Sequence, residues 1–170
     1  MEDILGLIRL RIKRATNLIP RDSRTSDPYV LITMAEQTLK TGVVKDNCNP
    51  EWKEELTLYV KDINTPINLT VCDKDTFTVD DKMGDADIDI KPYLQCVKMG
   101  LSDLPDGHVI KMVQPDRTNC LAEESSCIWR NGKVVQEMSL RLRNVKSGEV
   151  LVEIEWIDVP NSNGLSAVEF

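Results

Sequence analysis

Apolar and polar residues alternate from the start of the chain. In GLIRLRIKR (residues 6–14), Ile8, Leu10 and Ile12 are separated by basic residues. Successive side chains of a strand point to opposite faces, so this order gives one apolar face and one charged face. The segment is therefore predicted to be a half-buried strand.

Seven further segments have strand-like patterns and are separated by turn residues such as Asn47, Pro50 and Gly148. They are 28–34, 37–44, 55–60, 67–72, 86–90, 138–145 and 149–159. Many short strands with turn signals between them are typical of an antiparallel sandwich. The sequence therefore predicts an all-β fold, an eight-stranded antiparallel β-sandwich.

One long segment, about residues 91–138, does not follow this pattern of short strands. KPYLQCVKMG predicts a short helix with Pro92 in its first turn and Gly100 at its end, and CIWRNGKVVQ predicts a hairpin across Asn131-Gly132. Connections this long are commonly functional or disordered, and a tolerated insertion is the alternative. The expected organisation is a single domain over 1–160 with an insertion over about 91–138, followed by a flexible tail over 161–170.

Composition narrows the functional classes. The chain has 170 residues, 41% of them hydrophobic, which is enough for one domain with a core. Its net charge of −7 argues against nucleic-acid binding, which needs a basic surface. No long apolar run, signal peptide or lipidation motif is recognisable, and the five cysteines form no C-x-x-C pair. We expect a soluble cytosolic protein with free thiols.

Acidic residues cluster after one strand-like run. NLTVCDKDTFTVDDKMGD (68–85) brings Asp73, Asp75, Asp80 and Asp81 into one loop. The EF-hand pattern fails there at its fifth, sixth and twelfth positions. An aspartate-nucleophile phosphatase would need a parallel sheet of alternating strands and helices, which is not predicted. A calcium-dependent membrane module and ordinary turns, which favour Asp, remain.

A second acidic loop favours calcium. RDSRTSDPYV (21–30) places two aspartates just before a strand. Calcium takes about six to eight oxygen ligands, which two loops at one end of a sandwich can supply better than one. The candidate carboxylate ligands are Asp22, Asp27, Asp73, Asp75 and Asp81, and the candidate main-chain carbonyl ligands are Arg21, Lys74 and Asp80.

These motifs resemble a C2 domain. SDPYV, NPEWKEELTLYV and LTVCDKDTFTVDDKMG occur in the order and spacing of that family, whose five ligand positions correspond to the five aspartates above. Asp22 and Asp27 lie five residues apart, one residue closer than in many C2 domains. Because the chain begins with the strand before the first calcium loop, the resemblance implies the type II strand order.

The match narrows to the small plant C2-domain abscisic-acid-related proteins. DDKMGDADIDIKPY, TNCLAEESSCIW, GKVVQEMSLRLRNV and GEVLVEIEWIDVP resemble that family, over roughly residues 4–160. The resemblance implies calcium-dependent binding to anionic phospholipid membranes and recruitment, through the insertion, of abscisic-acid receptors of the pyrabactin-resistance type. It also implies self-association on membranes, and a location at the cell membrane, in the cytoplasm and in the nucleus.

The same lineage of C2 domains also occurs fused to zinc-finger GTPase-activating domains. No such finger is present, and no nucleophile–base pair or phosphate-binding glycine loop is evident, so we expect no enzyme activity. A calcium- and lipid-binding regulator of a GTPase or related nucleotide hydrolase is the alternative function.

Further residues are candidates for contacts. Phe77 could insert into lipid or pack under its own loop. The other candidate membrane contacts are Arg24, Lys40, Lys45 and Lys53, and the candidate partner contacts lie around Leu101, His108 and Trp129. The outward basic residues of the strands, such as Arg9 and Arg11, are interpreted as a solvated face.

Overall fold

The fold described below is that of a computed structural model, which describes residues 3–20, 26–75 and 79–170. These residues contain ten strands, one α-helix and one short 3-10 helix. The elements are β1 Gly6–Thr16, β2 Pro28–Met34, β3 Gln37–Lys40, β4 Glu51–Val60, β5 Ile67–Asp73, β6 Asp81–Ile88, α1 Lys91–Lys98, β7 Val109–Val113, β8 Ser125–Arg130, β9 Lys133–Arg141, β10 Glu149–Ile157 and the 3-10 helix Gly164–Ala167.

The strands form two antiparallel sheets, which confirms the predicted sandwich. One sheet has the order β4-β1-β10-β9-β8-β7, and the other has the order β3-β2-β5-β6. The first strand pairs with the last, as the type II order predicts. All eight predicted strands are present, and the insertion adds β7 and β8 to one edge of the larger sheet.

The alternation in the sequence becomes the core between the sheets. Ile8, Leu10 and Ile12 on β1 are 0% exposed, and they belong to the same core cluster as Val30 and Ile32 of the other sheet, which are also 0% exposed. Burying each such side chain contributes about 1.5–3 kcal/mol. This core holds the two sheets together and so fixes the positions of the loops at their ends.

The insertion packs against the sandwich and extends it. The turn at Asn131 and Gly132 has the left-handed φ values of 52° and 79° that a two-residue hairpin requires. This hairpin joins β8 to β9, which begins at Lys133, five residues earlier than the predicted strand. Strand β7, in a segment that the sequence pattern left irregular, completes the edge.

Tyr93 connects helix α1 to the sandwich. It is 0% exposed, its hydroxyl donates to the carbonyl of Val134 at 2.7 Å, and the same oxygen accepts the N–H of Trp156 at 2.7 Å. The insertion is therefore held to both β9 and β10 by one buried hydroxyl.

The segment after β10 also contacts the domain. Within the 161–170 segment, Leu165 of the 3-10 helix is 6% exposed, and the hydroxyl of Ser162 donates to the carbonyl of Ile4 at 3.1 Å.

All five cysteines are free thiols, and four of them are buried. Among the described residues, no helix combines the length and apolar character needed to span a bilayer.

We expect the Tyr93→Phe substitution to lower the free energy of unfolding by about 1–3 kcal/mol, because it leaves the buried N–H of Trp156 without an acceptor. Urea denaturation followed by circular dichroism measures the change. Tyr59→Phe is the matched control, because the hydroxyl of Tyr59 hydrogen-bonds Glu36 at the surface. Equal stability of the two variants would show that the Tyr93 hydroxyl does not hold the insertion.

Candidate calcium site and surrounding surfaces

Strand register brings the two acidic loops to one end of the sandwich. In the smaller sheet β5 lies between β2 and β6, so that Asp73 pairs with Pro28 on one side and with Asp81 on the other. Asp27 directly precedes Pro28. Three of the predicted ligands are therefore neighbours because of how the backbone strands pair.

Hydrogen bonds donated by backbone N–H groups join the two loops. The N–H of Asp27 donates to Oδ1 of Asp73 at 2.8 Å, and the N–H of Lys74 donates to the carbonyl of Asp27 at 3.0 Å. Asp73 is 2% exposed. Asp27, Asp73 and Lys74 therefore form one hydrogen-bonded unit.

Asp46, which the sequence analysis did not select, links a third loop to this unit. Its N–H donates to Oδ1 of Asp27 at 2.9 Å, and the N–H of Asn47 donates to the carbonyl of Ser26 at 3.1 Å. Asp46 has a left-handed φ of 53°, which Asp tolerates in turns. The Asp46-Asn47 pair in the segment KDNCNP (45–50) indicates a turn, and this was the only sequence signal that could have drawn attention to Asp46.

The side chain of Asp80 lies within the loop between β5 and β6. Its Oδ1 accepts the N–H of Asp75 at 2.8 Å, its Oδ2 accepts the hydroxyl of Tyr29 at 2.6 Å, and Nζ of Lys74 lies 3.8 Å away. The hydrogen bond from Tyr29 and then that from Asp75 lower the pKa of Asp80, with smaller contributions from the charges of Lys74 and Lys40. Asp80, predicted to offer its main-chain carbonyl, therefore uses its carboxylate to close the loop.

Four predicted carboxylate ligands, Asp27, Asp73, Asp75 and Asp81, lie in these two loops or at their ends. Asp22, Arg21, Arg24 and Phe77 fall outside the described residues. In ranges 3–20, 26–75 and 79–170, no three acidic, His or Cys side chains converge closely enough to hold a metal. The oxygen donors suit calcium chemically. The carboxylates of the described residues do not by themselves form a complete set of ligands.

Exposed apolar side chains occur on the same loops. Val79, just before Asp80, is 88% exposed, and Val43, in the loop between β3 and β4, is 41% exposed. Single exposed apolar residues are common on protein surfaces. Val79 was nevertheless missed, because an isolated Val in an acidic loop carries no periodic signal.

One of the predicted basic contacts, Lys53, lies among acids. Lys40, Lys45 and Lys53 are exposed, and Nζ of Lys53 lies 3.4 Å from the carboxylate of Glu51. A groove of about 330 Å³ between β1 and β4 has a mixed lining: Arg11, Ile12, Lys13, Arg14, Glu51, Lys53, Glu54 and Glu55. The surface around Lys53 is therefore mixed in charge.

The outer face of the larger sheet carries a network of ion pairs rather than a merely solvated basic face. Glu153, whose side chain is 1% exposed, lies 2.7 Å from Arg11, 2.6 Å from Arg130 and 3.6 Å from Lys13. Burial alone would raise the pKa of Glu153, but the hydrogen bonds from Arg130 and Arg11 and the charge of Lys13 lower it. Because these bases are paired, they are poorly placed to bind phosphate.

A groove lies at the other end of the sandwich, where β10 ends and β1 begins. It has a volume of about 430 Å³ and is lined in part by Leu101, Trp129 and Trp156. Leu101 is half-buried and Trp129 is 8% exposed. His108 is exposed, and its backbone carbonyl accepts the N–H of Trp129 at 2.9 Å. Two of the three predicted partner residues therefore line one groove.

Comparisons with known sequences find related proteins over most of the chain. A family model described as "C2 domain" matches residues 6–104. "Protein C2-DOMAIN ABA-RELATED 5" of Arabidopsis thaliana is 57% identical over 160 residues, covering 94% of this chain and 80% of that protein. "GTPase activating protein 1" of Oryza sativa subsp. japonica is 48% identical over 162 residues, covering 95% of this chain and 98% of that protein.

A solved structure supports the fold. The calcium-bound pair of C2 domains of Extended-Synaptotagmin 2 aligns with a TM-score of 0.63 and 19% identity over 93% of this chain. The chain spans 48%, just under half, of that two-domain structure. At this identity the likeness concerns the fold alone.

The lowered pKa of Glu153 predicts acid sensitivity. A carboxylate whose pKa is lower in the folded protein contributes stability above its unfolded pKa, about 4.5, and that stability is lost as the pH falls through the folded pKa. Glu153→Gln should lower the free energy of unfolding near neutral pH by about 1–3 kcal/mol and flatten its decline below about pH 4.5.

Urea denaturation at neutral and acidic pH measures both effects. Glu137→Gln is the control, because the Glu137 side chain is 50% exposed and pairs with Lys13 at the surface. If Glu153→Gln and Glu137→Gln gave the same pH profile, the buried ion pairs would not be the source of the acid sensitivity.

Proposed function

The chain belongs to the plant C2-domain ABA-related family of C2 domains, and on this basis we propose that it is a calcium-dependent adaptor at anionic membranes. Membrane binding is the role that this family membership suggests. The adaptor would use the acidic loops for calcium and lipid and the insertion for a protein partner.

The observation that carries the proposal is the meeting of carboxylates at one end of the sandwich. Strand register pairs Asp73 with Asp81 and with Pro28, which directly follows Asp27. Asp75 lies two residues after Asp73, and the loops at this end also carry the exposed Val43 and Val79. Without a cation, these carboxylates repel one another and repel anionic headgroups. Calcium, when bound, supplies positive charge and open coordination positions for lipid oxygens.

The residues of this chain then have distinct roles. The hydrogen bond between Asp27 and Asp73 holds the two loops together, and both carboxylates would serve as ligands for a cation. Val79, at the surface of its loop, would enter the apolar edge of the headgroup layer. Membrane binding should therefore require calcium, favour anionic lipid and weaken with salt.

The insertion would recruit abscisic-acid receptors of the pyrabactin-resistance family. Two features support this: the ABA-related names of the relatives, and the groove lined by Leu101 and Trp129 at the end away from the acidic loops. The receptor would then bind without competing with the membrane. Self-association and a nuclear pool stay predictions.

A second candidate function is the regulation of a GTPase. The relative named "GTPase activating protein 1" supports it, with 48% identity across nearly its whole length. In this alternative the chain would act through a nucleotide hydrolase partner without catalysing the reaction itself.

Asp27→Asn tests the membrane role. The substitution removes one charge while keeping an oxygen that can accept the Asp46 N–H, so the fold should be preserved. We expect the calcium concentration at half-maximal co-sedimentation with phosphatidylserine liposomes to rise at least about tenfold, the effect of losing one charged ligand.

The matched control is Asp62→Asn, which removes the same charge from an exposed turn whose Oδ1 accepts the N–H of Asn64. Wild-type protein that pellets equally in calcium and chelator would contradict the calcium switch. An Asp27→Asn midpoint equal to that of Asp62→Asn would contradict the ligand assignment.

Leu101→Glu tests the partner surface. A charge in this groove should weaken pull-down of a pyrabactin-resistance receptor at least about tenfold, since an unpaired charge is costly to bury, and leave calcium-dependent liposome binding unchanged. Met112→Glu is the control, because Met112 lies 48% exposed on β7 of the same insertion.

Unchanged receptor binding by Leu101→Glu would exclude the groove as the receptor surface. Binding of a GTPase but not of the receptor by the wild-type protein would favour the second candidate function.

A further inference from the structure

We propose that Tyr29 is a positioning residue for the calcium site: by donating its hydroxyl to Asp80, it holds the β5–β6 loop so that Asp75 and Asp81 are ready for the cation. This inference rests on the proposed calcium-dependent function. It adds a residue that lies outside the predicted ligand set and does not itself touch the ion.

The geometry joins three parts of the chain through one carboxylate. Tyr29 lies on β2, directly opposite Cys72 on β5, and its hydroxyl reaches Oδ2 of Asp80 at 2.6 Å. Oδ1 of the same side chain accepts the N–H of Asp75 at 2.8 Å. Asp80, at the end of the β5–β6 loop, therefore connects this loop end both to strand β2, through Tyr29, and to the beginning of the loop, through Asp75.

Strand alternation gives this contact a consequence for Asp81. Asp80 directly precedes Asp81, the first residue of β6, and consecutive side chains of an extended chain point to opposite sides. Tyr29 holds Asp80 on the outer side of the smaller sheet, together with Cys72. Asp81 is thereby directed to the same side as its pairing partner Asp73.

Such a restraint is needed because the site repels itself before calcium arrives. Asp73 and Asp81 are paired directly across two strands, and like charges in that position destabilise a sheet. The Tyr29–Asp80 bond is charge-assisted, which makes it stronger than a neutral hydrogen bond. It opposes the opening of the loop and reduces the ordering that calcium binding must otherwise impose.

Tyr29 also connects the loop to the other half of the site. Asp27 lies two residues before it, and the backbone of Asp27 is bonded to Asp73 and Lys74. A shift of the β2 start would therefore move Asp27 and the restraint on Asp80 together. The two acidic loops are coupled through one strand end.

The chain offers a matched comparison for Tyr29. Tyr59 is also a half-buried strand tyrosine whose hydroxyl donates to a carboxylate, that of Glu36, but it lies on β4 away from the acidic loops. If a tyrosine–carboxylate bond were only a surface contact, Tyr29→Phe and Tyr59→Phe should have the same effects. The positioning role requires them to differ.

The experiment compares the wild-type protein, Tyr29→Phe and Tyr59→Phe in two measurements. The first is the amide hydrogen exchange of Asp75 in chelator, read by nuclear magnetic resonance. The second is the calcium midpoint of co-sedimentation with phosphatidylserine liposomes. We expect Tyr29→Phe to speed exchange and to raise the calcium midpoint by about three- to tenfold, as the loss of one hydrogen bond to a charged group should. Tyr59→Phe should change neither.

Each contrary result has a separate meaning. Wild-type exchange at Asp75 in Tyr29→Phe would overturn the restraint, and faster exchange with an unchanged calcium midpoint would overturn its role in positioning the ligands. Failure of the wild-type protein to bind calcium would instead overturn the proposed function. Asp80→Asn, which keeps an acceptor oxygen but removes the charge, should give an effect in the same direction as Tyr29→Phe; no effect would overturn the proposal.

Discussion

The pairing of β5 with both β2 and β6 determines where Asp73 lies, and the acidic end of the molecule depends on that position. A strand between two neighbours cannot shift without breaking both ladders, and a shift by one residue would turn its side chains to the other face. Asp27, Asp73 and Asp81 are therefore neighbours because the core residues of these strands require that register. Hydrogen bonds among the loops then complete the arrangement, and Asp46 brings in a third loop.

The two ends of the sandwich differ in chemistry, and this separates two tasks. One end carries carboxylates and exposed valines, and the other carries a groove of mixed polarity beside the insertion. Between them, the outer face of the larger sheet is covered by ion pairs centred on Glu153. This face is stabilised internally, so the ends are the surfaces that the proposed function uses.

The insertion contributes to the fold as well as to the proposed partner surface. Its strands β7 and β8 continue the larger sheet, and Tyr93 on its helix bonds to β9 and β10. These contacts attach the insertion to the sandwich at several points. A partner bound at the groove would therefore be held at a defined position relative to the acidic loops.

The sequence by itself was sufficient to predict the sandwich, eight of its ten strands, the hairpin at Asn131-Gly132 and the acidic residues of both loops. Alternation and turn chemistry are local signals, which is why they can be read without coordinates. Strand β7, the links of Asp46 and Tyr29 to the loops, and the exposure of Val79 were not predictable in this way. Strand β7 and the links of Asp46 and Tyr29 depend on contacts between residues far apart in the chain, and such contacts exist only once strand register has brought the segments together. The exposure of Val79 depends on the fold of its loop, which an isolated Val without a periodic pattern does not indicate.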